Sequence, residues 1–274
     1  IIPSSSPIRL RLTNMEVPSL SREGYKSRAN KTVWIFTIVY FGITIAAFFC
    51  YWIAGMEPFD ALNHAFSVTA TGGFSTKNLS IASYNSTAIN LITMFFMFVA
   101  SIHFGIIYMV FATRSLKPLN NPVLKYYVSA IIVSAILVSL SLKFQSAGFT
   151  WGQSFMTGFF HVISSISTTG FAISDNNTWP LFACIITILI TIPCGMAGST
   201  TGGIKADRML LIFKTIGQQV KNAVHPSSIN RLHIGNHILD KDEIYPHVVF
   251  MCLYLITIGA SVALTILSGM DVQN

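Results

Sequence analysis

Charge is scarce in this 274-residue chain: only 10% of its residues are Asp, Glu, Lys or Arg, against roughly 25% in ordinary soluble domains. Cysteine is scarce as well. Cys50, Cys184, Cys194 and Cys252 have neither CxxC spacing nor a histidine at metal-ligand distance in sequence, so they read as buried thiols rather than as a zinc site. HExxH, GxSxG and paired acidic residues inside apolar stretches are all missing, which leaves a membrane-embedded enzyme without nucleophile, base or metal ligands. The first 31 residues lack the basic, apolar and small-residue order of a signal peptide. They read as an extramembrane segment.

Hydrophobic residues fill the space that charge leaves, at 52% of the chain and a mean hydropathy of +0.61. They gather in five charge-free stretches, 32–55, 87–113, 126–142, 179–204 and 244–270. Each can span a hydrocarbon core of about 30 Å, so the expected fold is an all-α polytopic membrane protein. The formal charge of +7 could suggest nucleic acid, but the basic residues sit in the gaps between apolar stretches rather than on one polar surface. Fifteen of the 17 fall before the first stretch, between the second and third, or after the fourth; Lys77 and Lys143 are the exceptions. Short cytoplasmic loops accumulate Lys and Arg. The N-terminal segment is therefore expected inside the cell, and the loops 56–86 and 143–178 outside.

Those two loops are too long and apolar for simple connectors, and they read as re-entrant. Aligned without a gap, NHAFSVTATGGF (63–74) and FHVISSISTTGF (160–171) share five of twelve positions, pairing His64 with His161, Ser67 with Ser164, Thr71 with Thr168, Gly73 with Gly170 and Phe74 with Phe171. Each unit runs span, short helix, Thr/Gly turn, span, with the short helices expected at 58–69 and 151–166. Repetition of this kind points to a site built between repeats. A cation in the bilayer must exchange water for oxygens, and helix carbonyls are already committed. A turn of Thr and Gly frees carbonyls and adds hydroxyls, while the helix before it directs a partial negative charge toward the path. Neither turn holds a carboxylate, which favours a weakly hydrated monovalent cation over a divalent one. His64 and His161 read as hydrogen-bonded packing residues in preference to proton relays, and His103 as a structural or cavity-lining residue.

The fourth stretch is interrupted from Pro193 through Gly203 and is expected to resume at Ile204. Its glycines do not make a phosphate-binding loop, because Ile204 stands where lysine is needed and no strand precedes it. A Gly/Ser/Thr break at membrane depth needs protein or a water-filled cavity around it, which suits a movable obstruction; a static kink is the alternative.

ATGGFST (70–76), STTGF (167–171) and above all AGSTTGGIK (197–205) resemble the Trk/Ktr/HKT superfamily of potassium transporters, most closely the bacterial TrkH type. The likeness extends to GMEPFDAL (55–62), WPLF (179–182) and VHPSSINRLHIGN (224–236). The resemblance implies four repeats of span, pore helix and span around one pore. The selectivity filter would comprise Ala70, Thr71, Gly72, Gly73 and Phe74 with Ser167, Thr168, Thr169, Gly170 and Phe171, and K⁺ would sit at the carbonyls of Thr71, Gly72, Thr168 and Thr169. Gly195, Met196, Ala197, Gly198, Ser199, Thr200, Thr201, Gly202 and Gly203, with Lys205, would form the gating loop. The implied layout is a linker (1–31) after a first repeat outside this chain, the second repeat (32–114), the third (115–220), a cytoplasmic connector (221–243) and the start of an incomplete fourth (244–274). Also implied are K⁺ as the transported ion, no covalently bound cofactor, a bacterial cell-membrane location, lipid contacts, a homodimer and a cytosolic nucleotide-binding regulatory subunit. A Na⁺-conducting or Na⁺/K⁺ co-transporting relative and a helical scaffold that moves no ions are the alternatives.

In a background free of native cysteines, Asn78→Cys and Asn176→Cys should react with an impermeant thiol reagent applied to intact cells. Asn120→Cys and Ser228→Cys should react only after the inner face is exposed. Labelling at position 120 from outside would overturn the orientation.

Overall fold

The computed structural model describes residues 29–145, 149–224, 232–234, 237–239 and 241–268. The expected N-terminal linker as far as residue 28, most of the connector between 225 and 240, and the end of the fifth apolar stretch from 269 lie outside the described residues. The chain divides into two compact units at Asp207/Arg208.

The first unit opens with helix α1 (Ala29–Ile53), apolar around its whole circumference, as a helix among lipid and protein must be. Helix α2 (Pro58–Thr69) follows, with Pro58 in the first turn, where its missing N–H costs nothing, and Asp60 at the positive end of the helix. Helix α3 (Thr87–Ala100) is capped by the Ser86 hydroxyl, which accepts from the Ile89 amide at 3.4 Å. Helices α4 (Phe104–Thr113) and α5 (Pro122–Gln145) come next. Helix α6 (Trp151–Ile166) starts with a reciprocal capping box: the Gln153 amide donates to Thr150 Oγ1 and the Thr150 amide to Gln153 Oε1. Helix α7 (Leu181–Ile190) completes the apolar set. The all-α fold is as expected, and α2 and α6 have the bounds read from the sequence.

The packing recurs. Helix α1 lies against α2 and α5 against α6, while α3 covers α2 and α7 covers α6; the two groups meet where α3 packs on α6. Tyr51 and Tyr127 are the largest side chains fully enclosed. The Tyr51 hydroxyl donates to Thr93 Oγ1 at 3.0 Å and the Tyr127 hydroxyl to Ser101 Oγ at 2.7 Å, so each buried phenol is satisfied. Apolar residues such as Ile38, Phe41, Ile45, Val133 and Ile188 remain exposed on the outside, as lipid-facing residues do.

Two apolar stretches differ from expectation. The second, 87–113, is not one helix: α3 and α4 meet at Ser101–His103 with a bend of 97°. Fourteen residues of α3 extend only about 21 Å. The fourth stretch stops at Ile190, because Pro193 cannot donate to the helix and biases the residue before it away from helical dihedrals. Its continuation, α8 (Ala206–Val224), begins at Ala206 rather than Ile204, since Gly203 and Lys205 both hold left-handed dihedrals (φ +75° and +77°). Among the described residues, Thr32–Ile53, Pro122–Gln145 and Tyr245–Leu267 are single helices long and apolar enough to cross a membrane, and the bent pair passes when taken together.

The second unit holds most of α8, a short antiparallel ribbon of β1 (Leu232–Ile234) and β2 (His237–Leu239), and the long apolar helix α9 (Lys241–Leu267). The ribbon pairs Leu232 with Leu239 and Ile234 with His237. It was not foreseen, since three residues a side carry no readable alternation. Within the unit, the Arg208 guanidinium stands 4.0 Å from the centre of the Phe250 ring.

The crossing of α5 and α6 depends on Gly158, where a Cβ would overlap the Ser139 hydroxyl and come within 3.1 Å of its Cα. Gly158→Val should therefore destabilise the protein by about 1–3 kcal/mol. Gly152→Ala, on the same helix with open space around it, should not. Thermal unfolding in detergent compares them, and equal melting temperatures would refute the close crossing.

Candidate functional site

Helices α2 and α6 both end in the same unusual way. After the last turn of α2 the Thr71 amide donates to the Val68 carbonyl at 3.2 Å and the Gly72 amide to Ser67 at 2.8 Å; after α6 the Thr168 amide donates to Ser165 at 3.0 Å and the Thr169 amide to Ser164 at 2.9 Å. These are Schellman turns, whose left-handed position normally belongs to glycine. Here it belongs to threonine twice, with φ +52° at Thr71 and +54° at Thr168. Each such residue costs on the order of 1–3 kcal/mol and persists only where its surroundings over-determine it. Gly73 and Gly170 are left-handed too, at φ +69° and +87°, and the residue between each pair is not. Successive carbonyls of an extended chain point to opposite sides. Inverting alternate residues turns carbonyls toward a common side, the arrangement a dehydrated cation needs.

The two turns touch. The Thr169 carbonyl oxygen lies so close to Gly73 that a Cβ there would overlap it, whereas no atom lies within 4 Å of a Cβ on Gly170. Ala70, Gly72 and Gly170 are exposed and Thr71, Ser167 and Thr169 buried. Despite their matched positions, Phe74 and Phe171 part company: Phe74 is 82% exposed and Phe171 only 1%. Phe171 stacks on His64, with ring centres 5.8 Å apart.

The loop 195–205 joins both turns, and it is stitched in place more firmly than its glycine content suggests. The Thr71 hydroxyl lies between two acceptors, the Ala70 carbonyl at 2.7 Å and the Thr200 carbonyl of the loop at 3.1 Å, and the Gly202 amide donates to Thr168 Oγ1 at 2.9 Å. The strained threonines thus hold the loop through their hydroxyls. On its other side the loop fills the break between α3 and α4. The Met196 amide donates to the Ser101 carbonyl at 2.9 Å, Thr200 donates to Ala100 through its amide and hydroxyl, and the Phe104 amide returns a bond to Gly198 at 3.0 Å. Asp207 Oδ2 accepts from the Ala197 amide at 2.6 Å. Lys205 donates through Nζ to Thr201, at the carbonyl and at Oγ1, so its ammonium fastens the loop to itself. Gly195 is packed against Thr201 and the Ser101 carbonyl, leaving no room for a side chain.

His64 and His161 brace the chain beyond each turn. His64 Nδ1 bonds the Asp60 carbonyl at 2.7 Å and its Nε2 bonds Ser75 Oγ at 2.9 Å, while His161 Nε2 bonds Ser174 Oγ at 3.2 Å and accepts from the Ile173 amide at 3.4 Å. Both are buried and hydrogen-bonded within the fold, as a packing residue requires. His103 accepts from the Gly105 amide through Nδ1 at 2.8 Å and caps α4, so it helps to make the bend.

Asp60 was not singled out from the sequence. Its buried carboxylate accepts from Thr76 Oγ1 at 2.7 Å and Tyr84 hydroxyl at 2.9 Å, and pairs with Lys77 Nζ at 3.1 Å. The Thr76 hydroxyl, with Lys77 and Tyr84 beside it and against the opposing effect of burial, holds the carboxyl below its usual range. Burial pushes Tyr84 up to about 12, which keeps it a donor. A lowered carboxylate pKa contributes stability above the unfolded value that is lost only as pH falls through the folded one, so these contacts are intact at neutral pH. The only sequence signal was an acid in the first turn of α2 with Lys77 and Tyr84 downstream; the partner in the other repeat is Thr157, so repetition hid it.

Comparison with known proteins bears on this geometry. The family described as "TrkH: Cation transport protein" matches residues 7–272. The Trk system potassium uptake protein TrkH of Escherichia coli (strain K12) is 31% identical over 242 residues, covering 88% of this chain and 50% of that protein. The Trk system potassium uptake protein TrkG of the same strain is 29% identical over 241 residues, covering 88% and 49%. The crystal structure of the potassium transporter TrkH from Vibrio parahaemolyticus superposes with a TM-score of 0.86 at 29% identity, covering 95% of this chain and 56% of that one. The chain spans about half the length of the curated relatives it matches.

The loop's fit around His103 is testable. At Gly198, with φ +73°, a Cβ would lie 2.7 Å from the His103 ring, whereas at Gly202 the nearest atom would be 3.8 Å away. Gly198→Ala should cost about 1–3 kcal/mol, from dihedral strain and crowding together, and Gly202→Ala little. Equal thermal stability of the two variants in detergent would contradict the described packing.

Proposed function

Because the chain belongs to the TrkH family of cation transport proteins, we propose that it forms part of a pore for K⁺ uptake across a bacterial cell membrane. The family transports ions and is not enzymatic. In this reading, 32–114 and 115–220 are two repeats of span, pore helix and second span, 221–243 is a cytoplasmic connector, and 244–274 begins a further repeat. Ala70–Phe74 and Ser167–Phe171 line the selectivity filter, and K⁺ exchanges its water for the carbonyls of Thr71, Gly72, Thr168 and Thr169. The loop from Gly195 to Gly203, with Lys205, gates the path beneath it. The carrying observation is the pair of strained threonine turns, alike in dihedral pattern and in contact where the Thr169 carbonyl meets Gly73.

Relatives named for potassium uptake support the choice of ion. The basic residues Arg114, Lys117 and Lys125 between the second and third apolar stretches support a cytoplasmic side on which a nucleotide-binding regulatory subunit docks, with the N-terminal segment on the same side. The complete transporter assembles as a homodimer in this reading.

The filter glycines test it. Gly73→Ser drives a side chain into the Thr169 carbonyl, whereas Gly170→Ser meets open space and only strains a left-handed residue. In the complete transporter both should lower the preference for K⁺ over Na⁺, Gly73→Ser the more, by about tenfold for each 1.4 kcal/mol of lost discrimination. Reversal potentials, or Rb⁺ uptake with competing Na⁺, report the ratio. Wild-type preference in both variants at normal surface levels would remove the filter assignment.

A further inference from the structure

Each turn is a short bridge anchored at two ends. The leading end is the Schellman turn itself; the trailing end is held by side chains. Beyond Gly73 three consecutive residues are fixed: Ser75 bonds His64, and Thr76 and Lys77 both reach the Asp60 carboxylate. That carboxylate also accepts from Tyr84, the last residue of the 3₁₀ turn Ser80–Tyr84. The same 3₁₀ turn grips the other repeat. The Ala172 amide donates to Ser80 Oγ at 3.3 Å, and the Ala82 amide donates to the Ala172 carbonyl at 3.2 Å. Ala172 directly follows Phe171, whose carbonyl accepts from Ser164 Oγ at 2.7 Å. Two chains of contact therefore run from Asp60, one to the trailing end of 71–74 and one, through Tyr84, to that of 168–171.

We propose that Asp60 is a positioning residue for ion selectivity, a single carboxylate that fixes the trailing ends of both turns and sets their spacing. The proposal rests on the reading of those turns as a filter. A carbonyl cage discriminates between ions only as far as its oxygens resist moving toward the smaller one. Three donors from three side chains, one of them a salt bridge, exceed what a helix terminus alone requires; they are what a rigid abutment needs. Asparagine has the same shape but turns an N–H₂ toward donors, so it accepts from Thr76 while opposing Lys77.

The test uses the complete transporter, with Rb⁺ uptake in competition with Na⁺ and normalised to surface protein. Gly73→Ser serves as the reference. Asp60→Asn should lower Rb⁺ preference by about three- to tenfold, the range for a residue acting through a packed network. Tyr84→Phe, which deletes one hydroxyl and cuts only the arm to Ala172, should lower it less and in the same direction. A ratio is read because loss of folding alone changes the amount of flux and not the preference. Should Gly73→Ser lower preference while Asp60→Asn and Tyr84→Phe keep the wild-type value, the positioning role is overturned and the filter reading stands. Should Gly73→Ser itself leave preference unchanged, the filter reading fails and this inference with it. If Asp60→Asn does not reach the surface, Tyr84→Phe decides alone, and wild-type preference there overturns the link between the turns.

Discussion

Two interrupted helices in this protein complete each other. The break at Ser101–His103 strands the carbonyls of Ala100 and Ser101, and the break at 191–205 strands the amides of Met196 and Thr200. Backbone groups freed inside a membrane protein cannot be satisfied by lipid and need protein or enclosed water as partners. They find one another. Phe104 and Gly198 add a bond in the reverse direction, and the exchange fixes where the loop lies, how sharply α3 and α4 bend, and what the loop presents to the two Thr/Gly turns. Removing one break would leave the other with unpaired backbone, at about 1–3 kcal/mol for each buried group.

The same economy explains the strained threonines. Glycine at positions 71 and 168 would adopt the left-handed dihedral without penalty, but it would have no hydroxyl to hold Thr200 and Gly202. The strain is offset by contacts to the loop, and turn and loop become one hydrogen-bonded body. In the proposed mechanism, any movement of the loop must break bonds to the turns above it, which ties opening of the path to the state of the coordinating carbonyls.

The repeats are alike in plan and unlike in detail. Both use a histidine of the short helix to hold the chain beyond the turn, but only the first pairs it with a carboxylate that does the same, and only the second buries its phenylalanine. Phe171 stacks on His64 of the other repeat, and Ala172 is held by the 3₁₀ turn of the other repeat. The second turn is thus supported by residues of the first.

Period and composition were enough for the membrane class, the all-α fold, the bounds of α2 and α6 and the place of the Thr/Gly turns. Each rests on local chemistry: apolar length, proline at a first turn, a capping box, glycine where dihedrals must be left-handed. The 97° bend was not legible, because an uncharged stretch from Thr87 to Thr113 looks continuous until a distant loop claims its carbonyls. Nor was the role of Asp60, since its three partners lie 16, 17 and 24 residues away and only folding brings them to one carboxylate. The sequence alone specified that the two Thr/Gly turns and the stretch from Pro193 to Gly203 lack regular hydrogen bonds; tertiary structure decided that 101–103 joins them and who supplies the partners, because a partner for a stranded backbone group is chosen by proximity in space and leaves no periodic mark on the chain.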